Sequence, residues 1–171
     1  MKMLPIGNEL RDQVAEVLRA SSCFAGLAET RALDGLLAAA TLLEFEPGEE
    51  VVRSGQPSDS MFLLVRGKVA IQLIRPGCAP HDVGRVSAPY TFGEIGLLLD
   101  RPRAATVTAF GRPLVLRFDA ASFLRLFDED SAFRLSLTRT LAERFAEMSE
   151  VLTMETSATV SIDLKTFKLA L

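Results

Sequence analysis

The most informative stretch of the sequence lies near its middle and reads Phe92-Gly93-Glu94-Ile95-Gly96-Leu97-Leu98-Leu99-Asp100-Arg101-Pro102-Arg103-Ala104-Ala105-Thr106-Val107. Two glycines surround a carboxylate, an apolar turn follows, and an arginine precedes a segment with strand character. Gly93 and Gly96 allow unusual backbone angles, so the main chain can come close to a ligand there. A helical turn that begins near Glu94 would direct unpaired N–H groups outward and bind an anion. Arg103 can close such a site because its guanidinium matches phosphate oxygens.

A carboxylate beside an anion site has a chemical use of its own. Glu94 is a poor neighbour for a phosphate, but it can accept a hydrogen bond from a sugar hydroxyl. A phosphate site next to a ribose site indicates a nucleotide. The sequence lacks the Lys-Ser or Lys-Thr pair of a Walker loop and an obvious set of magnesium carboxylates, which disfavours a triphosphate. The alternative stays open that Glu94 and Arg103 simply form an ion pair.

Short apolar segments alternate with turn signals on both sides of this stretch, from Leu42 to Phe118, and two of these predicted turns are Arg66-Gly67 and Gly111-Arg112-Pro113. Spaced short strands of this kind are typical of an antiparallel sandwich or barrel. The predicted strands are Glu50–Val52, Met61–Val65, Val69–Ile74, Asp82–Val86, Ala105–Ala109 and Leu114–Phe118. We therefore predict a mainly β fold with flanking helices: an antiparallel β-roll or jelly-roll barrel with N-terminal helices and a long C-terminal helix.

Helical periodicity flanks the predicted strands on both sides. We divide the chain into an N-terminal helical segment (1–41), the β-roll with the glycine-rich stretch (42–127), a C-terminal lid or dimer helix (128–154) and a tail with a possible strand (155–171). The apolar positions of the long helix share one face. Two interpretations of that face remain open: it packs on its own barrel, or it forms the seam of a homodimer.

The composition of the 171 residues is that of an ordinary globular protein. Apolar residues make up 49% and charged residues 24%, and the formal net charge is −3. A duplex-binding domain usually carries a concentrated positive surface, so we expect no direct DNA binding. The single histidine, His81, excludes a multi-histidine metal cage, and we expect neither a metal nor a cofactor. Cys23 and Cys78 fit reduced thiols better than a disulfide.

The longest apolar runs, such as Met61–Val65, are far shorter than the roughly 20 residues that a membrane-spanning helix needs. Pro5 and Gly7 interrupt the start of the chain before the apolar core of a signal peptide can form. We therefore expect a cytoplasmic protein without a membrane span.

Residues 92–97 and 102–106 together resemble the phosphate-binding cassette of the cyclic nucleotide-binding domain family. This family includes the regulatory subunits of cyclic-AMP-dependent protein kinase, cyclic-nucleotide-gated channels and the bacterial catabolite activator protein. Its pattern runs FGE, an apolar position, a small residue, an apolar turn and then PRAAT or a close variant. Both segments match this pattern without a gap, and the resemblance spans roughly Phe24 to Leu152.

The resemblance implies a role for each residue of the cassette. Glu94 would hold the ribose 2′-hydroxyl, and Arg103 would pair with the single negative charge of the cyclic phosphate. Backbone N–H groups would complete the site at Gly93, Ile95, Gly96, Leu97, Ala104 and Ala105. In the family, a Thr or Ser directly after the arginine reaches the guanine amino group, and Ala104 lacks that hydroxyl. We therefore expect cAMP as the ligand, with cGMP less favoured.

The resemblance also implies that the long C-terminal helix folds over the base as a lid. Arg144 stands at a lid position and would stack on the purine by a cation–π contact. A solvent-exposed helix arginine is the alternative. Val65, Ile71 and Val83 would supply apolar pocket walls, a role that is compatible with ordinary barrel core.

The function implied by the resemblance is that of a stand-alone, non-catalytic receptor for a cyclic mononucleotide. The winged helix, kinase and transmembrane bundle that carry the output of other members are missing from the sequence. The signal would therefore pass through lid-helix movement to an unidentified protein effector or a homodimer. The alternative is a structural or protein-interaction barrel with a vestigial or differently used anion pocket. We do not expect an enzyme, since one histidine cannot build the metal site of a cupin-like barrel.

Overall fold

The chain folds as helices, then strands, then helices. The computed structural model describes residues 1–5, 8–27, 31–74, 79 and 81–156. Its helices are α1 (Asn8–Ala20), a 3-10 helix (Ser22–Leu27), α2 (Arg31–Ala39), α3 (Glu94–Leu98), α4 (Ala120–Glu129) and α5 (Ser131–Thr156). Its strands are β1 (Lys2–Leu4), β2 (Thr41–Glu44), β3 (Glu50–Val52), β4 (Ser60–Leu73), β5 (His81–Ser87), β6 (Tyr90–Phe92) and β7 (Ala105–Asp119).

The strands of the described residues form one antiparallel sheet that does not close into a barrel. The strand order is β1-β2-β7-β4-β5, with β3 paired to β7 and β6 paired to β4. Helices flank this sheet on both sides in sequence, and α5 is the long C-terminal helix that the pattern predicted. The predicted fold class, a β-roll with flanking helices, is confirmed.

Strands β4 and β7 are each continuous where the sequence predicted two shorter strands. The turn signals at 66–67 and 111–113 lie inside these strands, and the β4–β7 register shifts on both sides of Arg66. Gly67 has a φ of +89°, and a Cβ there would stand 3.0 Å from the Cα of Pro113. The glycine therefore forms a bulge against the facing strand, which bends β4 without ending it.

The N-terminal segment is not purely helical, which corrects the prediction for residues 1–41. Residues 2–4 form β1, which pairs antiparallel with β2 in the register Lys2↔Glu44 to Leu4↔Leu42. The Met1 amino group also contacts the Glu49 carboxylate. An edge strand has unpaired backbone groups, and β1 satisfies those of β2. Three residues give too little periodicity for the sequence to reveal this strand.

Two hydrophobic clusters hold the elements together. The helix-side core joins the N-terminal helices, α4 and α5 to one face of the sheet, and Phe24 lies at its centre, 5.3 Å from the Phe133 ring and 5.6 Å from the Phe118 ring between centroids. The roll core fills the inside of the sheet and includes Phe62 and Phe92, whose rings stack at 5.2 Å. The glycine-rich stretch lies between the two clusters, so both fix its position.

The two C-terminal helices begin at aspartate caps. The Asp119 carboxylate accepts a hydrogen bond from the Ser122 backbone N–H at 2.8 Å, and Asp130 accepts from the N–H of Phe133 at 2.8 Å. No helix among the described residues is long and apolar enough to cross a membrane. Most of the predicted tail, residues 157–171, lies outside the described residues.

Helix α5 changes its environment along its length. Phe133 and Leu137 are buried in the helix-side core. Further along, Phe145 and Met148 are exposed by 44% and 50%. The first half of α5 therefore packs on its own domain, whereas the second half keeps exposed apolar side chains; the homodimer seam stays a prediction.

Candidate functional site

A cavity of about 460 Å³ lies between the glycine-rich stretch and the second half of α5. Most of its walls are apolar, and its charged side chains are Glu94, Arg103 and Arg144. The residues that line it are Val52, Ile71, Tyr90, Thr91, Phe92, Gly93, Glu94, Ile95, Gly96, Leu98, Leu99, Arg103, Ala104, Ala105, Val107, Leu141, Arg144, Phe145 and Met148. An apolar cavity with a few convergent polar groups is the usual form of a small-molecule site.

The cavity takes its shape from the turn at Gly93, which joins β6 to α3. Gly93 caps α3 with a φ of +88°, in the left-handed region that favours glycine. A Cβ at this position would stand 2.7 Å from the Nη1 atom of Arg103 and 3.3 Å from the Ser60 carbonyl oxygen. Glycine is therefore required both by the backbone angle and by the close approach of the arginine.

Glu94 is a buried carboxylate at one end of the cavity, and 2% of its surface is exposed. Its Oε1 atom accepts a hydrogen bond from Arg144 at 3.2 Å. Its Oε2 atom is also buried and has no hydrogen-bond partner within the part of the chain that the structure describes. Burial raises the pKa of Glu94 above its usual value, and the Arg144 charge opposes that shift.

Arg144 reaches from α5 across the cavity to the cassette. Its Nη1 atom also donates to the Thr91 carbonyl oxygen at 2.9 Å, and its Nη2 atom donates to the Thr91 hydroxyl at 3.0 Å. The guanidinium carbon lies 4.1 Å from the centre of the Tyr90 ring. The helix arginine is therefore part of the cavity wall, held by a carboxylate, a threonine and an aromatic ring.

Arg103 also lines the cavity, and 6% of its surface is exposed. Its Nη1 atom donates to the Gly93 carbonyl oxygen at 2.9 Å. Its Nη2 atom donates to the Ser60 hydroxyl at 3.0 Å and to Asp59 Oδ1 at 3.3 Å. Burial lowers the pKa of Arg103, and the Asp59 charge opposes that shift. Among the described residues Glu94 pairs with Arg144, and Arg103 pairs with Asp59 instead of Glu94.

Asp59 is a site residue that the sequence did not single out. Its Oδ1 atom faces Arg103, and its Oδ2 atom accepts a hydrogen bond from Arg117 at 3.1 Å. Burial acts to raise the pKa of Asp59, but the hydrogen bond from Ser60 and the charges of both arginines outweigh it and lower the pKa. The only sequence signal for Asp59 is its position shortly before the predicted strand Met61–Val65.

The 3-10 helix packs next to Glu94 through Cys23. Cys23, in the 3-10 helix, is fully buried and lies next to Thr91 and Glu94. Burial, together with the Glu94 charge, raises the pKa of this thiol to about 12. The thiol is therefore protonated at neutral pH and adds no charge to the site.

The structure brings together most of the residues that the sequence singled out. Gly93, Glu94, Ile95, Gly96, Arg103, Ala104, Ala105, Ile71 and Arg144 all line the cavity. The Leu97 side chain packs into the helix-side core. Val65 and Val83 are corrections to the predicted wall. Val65 belongs to the helix-side core, and Val83 is 54% exposed on the edge strand β5, because strand alternation does not tell which face meets the cavity.

Residues 42–130 match the family model of the cyclic nucleotide-binding domain. The chain belongs to this family. The matched range runs from β2 to the residue after α4, and it includes both Glu94 and Arg103. The resemblance of the cassette is thereby confirmed over half of the chain.

Individual relatives agree with this assignment. A cAMP-dependent protein kinase regulatory subunit from Dictyostelium discoideum is 42% identical over 87 residues, which are 49% of this chain and 27% of that protein. This chain thus spans about a quarter of the relative's length. The regulatory domain of Toxoplasma gondii PKA, solved with cAMP, has a TM-score of 0.68 at 27% identity, over 78% of this chain and 50% of that chain. The catabolite activator protein of Thermus thermophilus shares the fold, with a TM-score of 0.69 at 23% identity, over 80% of this chain and 63% of that chain.

Proposed function

We propose that the chain is a non-catalytic receptor for a cyclic mononucleotide, with cAMP as the preferred ligand. The observation that carries this proposal is the buried Oε2 atom of Glu94, which has no hydrogen-bond partner among the described residues, in an apolar cavity that Arg103 also lines. A ribose with a free 2′-hydroxyl and a cyclic phosphate offers a donor to the first group and an anion to the second. The family membership of residues 42–130 supports the same ligand class.

The ribose contact follows from the cost of an unsatisfied buried oxygen. A buried acceptor without a donor lowers stability by about 1–3 kcal/mol. A sugar hydroxyl that donates to Glu94 Oε2 removes this cost and leaves the bond between Oε1 and Arg144 in place. A 2′-deoxy ligand cannot do so. Glu94 therefore selects ribose ligands.

The phosphate contact falls to Arg103 and to the backbone amides beside it. The guanidinium is almost fully buried, and a charge-assisted bond to a phosphate oxygen is stronger in such a setting than in water. One arginine matches the single charge of a cyclic phosphate, whereas an acyclic monophosphate carries up to two charges. The site should therefore prefer the cyclic ester.

The base would lie against the apolar part of the cavity, which includes Leu98, Leu141 and Met148. Ala104, directly after Arg103, lacks a hydroxyl for the guanine amino group. Guanine would thus lose hydration at its amino group without a replacement there, which favours adenine. Arg144 stands beside the Tyr90 ring and can offer its other face to the purine.

Helix α5 is the element that would report binding. Arg144 joins it directly to Glu94 and Thr91, so a ligand that contacts Glu94 changes the contacts of the helix. A ligand shifts a conformational equilibrium only through such differential contacts. Phe145 and Met148 follow Arg144 on α5, line the cavity and are half-exposed, so this part of the helix can contact the ligand and also a protein effector or a second copy of the chain.

Calorimetric titration of the full chain with cAMP, cGMP and 5′-AMP tests this function. We expect saturable binding with the order cAMP, cGMP, 5′-AMP from tightest to weakest. At a free ligand concentration of 100 times Kd, cAMP should stabilise the fold by about 2.7 kcal/mol in a melting experiment. Absence of binding by all three at millimolar concentration would leave the second candidate, an interaction barrel. The existing contacts of Arg103 with Asp59, Ser60 and Gly93 are the observation that favours that candidate.

A further inference from the structure

Asp59 lies between two arginines and divides its carboxylate between them. Its Oδ1 atom is 3.3 Å from Arg103 Nη2, and its Oδ2 atom is 3.1 Å from Arg117 Nη2. Ser60 donates its hydroxyl to Oδ1 at 2.8 Å and accepts from Arg103. The group thus carries two positive charges and one negative charge.

The sheet fixes this arrangement. Asp59 directly precedes β4, and Arg117 is near the end of β7, where it pairs with Phe62 across the two strands. Arg103 precedes β7, and its guanidinium carbon lies 5.6 Å from the centre of the Phe62 ring. Asp59 and Arg117 therefore lie at one end of the β4–β7 pair, and Arg103, which precedes the other end of β7, brings its guanidinium to Asp59. Arg117 has no place in the cassette motif, and the cavity wall does not include it.

Because Asp59 contacts both arginines, its ion pair with Arg103 is weaker than a two-bond pair would be. An arginine and a carboxylate with both oxygens free form a two-bond pair, and an anion that needs the same arginine must displace it. Because Arg117 holds Oδ2, Asp59 faces Arg103 with one oxygen only. The pair between Asp59 and Arg103 is consequently weaker, so Asp59 competes less with an incoming phosphate for Arg103.

We propose that Arg117 is a positioning residue for anion binding: by holding one oxygen of Asp59, it keeps Arg103 available to the cyclic phosphate. This inference rests on the proposed function and adds a residue outside the cassette that sets the affinity for the ligand. The effect of Arg117 passes through Asp59, so it depends on the aspartate being present.

A double-mutant cycle on the full chain tests this dependence. The variants are Arg117→Gln, Asp59→Asn and the combination of both, each titrated with cAMP by calorimetry and each checked for its melting temperature. Arg112→Gln is the matched control: it makes the same charge change on the same strand, and Arg112 pairs with Glu44 and Glu46. Arg117→Met also removes the charge and serves in place of Arg117→Gln, with the same expected results, if that variant does not fold.

We expect Arg117→Gln to raise the Kd for cAMP by about fivefold and Arg112→Gln to leave it within twofold of the wild type. In the Asp59→Asn background, the additional change Arg117→Gln should raise Kd by less than twofold. The inference is overturned if Arg117→Gln raises Kd equally in both backgrounds, or leaves it unchanged while the wild type binds. A wild-type chain that fails to bind cAMP contradicts the proposed function itself, and that outcome is separate from the other two.

Discussion

The two ends of the cavity satisfy their charges in different ways. At the Glu94 end, one carboxylate oxygen pairs with Arg144, and the other has no hydrogen-bond partner in the described part of the chain. At the Arg103 end, the guanidinium already donates to a backbone carbonyl, the Ser60 hydroxyl and the Asp59 carboxylate. Among the described residues Glu94 Oε2 has no donor, whereas the protein itself supplies acceptors to Arg103.

This difference assigns different tasks to the two ends. A ligand group that satisfies an unpaired buried atom gains the full cost of that atom, so the Glu94 end favours one kind of ligand over another. A ligand group that replaces an existing contact gains only the difference in free energy between the new contact and the old one. The Arg103 end therefore sets affinity through a competition between the phosphate and Asp59.

The largest effect should come from removing Arg103. Arg103→Ala takes away the buried charge that faces the phosphate, and we expect cAMP binding to weaken by about 2–5 kcal/mol in calorimetry, at least roughly 30-fold. The fold should survive, because Asp59 still pairs with Arg117. The control is Arg112→Ala, which removes an exposed arginine of β7 and should leave cAMP binding unchanged. An Arg103→Ala variant that binds like the wild type would show that the comparison between the two ends is wrong.

A steric change should sharpen how the two ends are joined. Gly96 in α3 packs on Ser58, the residue before Asp59, and a Cβ there would overlap the Ser58 hydroxyl and stand 3.0 Å from the Arg101 carbonyl oxygen. We expect Gly96→Ala to lower the free energy of unfolding by about 1–3 kcal/mol in urea denaturation.

Gly35→Ala is the matched control for Gly96→Ala, since a Cβ at Gly35 meets nothing within 4 Å and alanine favours the α2 helix. Gly35→Ala should be neutral or stabilising. Ser58→Gly should restore part of the stability of Gly96→Ala. Equal stability of the two alanine variants would mean that α3 does not depend on its contact with Ser58.

Removing Glu94 should abolish ligand discrimination while it weakens binding less than the loss of Arg103. We expect Glu94→Ala to weaken cAMP binding about tenfold, in line with a hydrogen bond to a charged group. The wild type should bind cAMP more tightly than 2′-deoxy-cAMP, and the variant should bind both equally. Glu50→Ala, at an exposed glutamate on β3, should keep the preference. A preference that persists without Glu94 would place the ribose elsewhere in the cavity.

The smallest effect concerns pH and the same carboxylate. Burial raises the pKa of Glu94 above its ordinary 4.5, so between pH 4.5 and the raised pKa the folded chain keeps a proton that the unfolded chain releases. The stability contributed by Glu94 therefore falls as pH rises through this window. Glu94→Gln cannot titrate, so its melting temperature should rise relative to that of the wild type as pH increases above 4.5. A difference that stays constant with pH would contradict the raised pKa.

The sequence predicted the parts of the site that are close together along the chain. Gly93, Glu94 and Arg103 belong to one short motif, so their positions follow from local turns and the start of a strand. Asp59 and Arg117 reach Arg103 only through the pairing of β4 with β7, a long-range register that no local pattern reveals. The contact of Arg144 with Thr91 likewise depends on where α5 crosses the sheet.

The fold shows the same division between local and long-range information. The strand positions were predicted well in the middle of the chain because alternation and turn residues are local signals. The bulge at Gly67 was wrongly predicted as a turn. A glycine that bends a strand and one that ends it give the same local pattern, and only the long-range contact with Pro113 distinguishes them. Val83 was placed on the wrong side because alternation specifies two faces but not which one is inward.

Because Cys23 is buried, the rate at which its thiol is alkylated can report local opening of the domain. Only a thiolate reacts quickly with alkylating reagents, and this thiol is shielded, with a pKa of about 12. Labelling at neutral pH therefore requires the 3-10 helix to lift from Thr91 and Glu94, and its rate measures how often that happens. In a Cys78→Ser background, a bound nucleotide that tightens the Glu94 end should slow the labelling, with no dye or fusion partner attached.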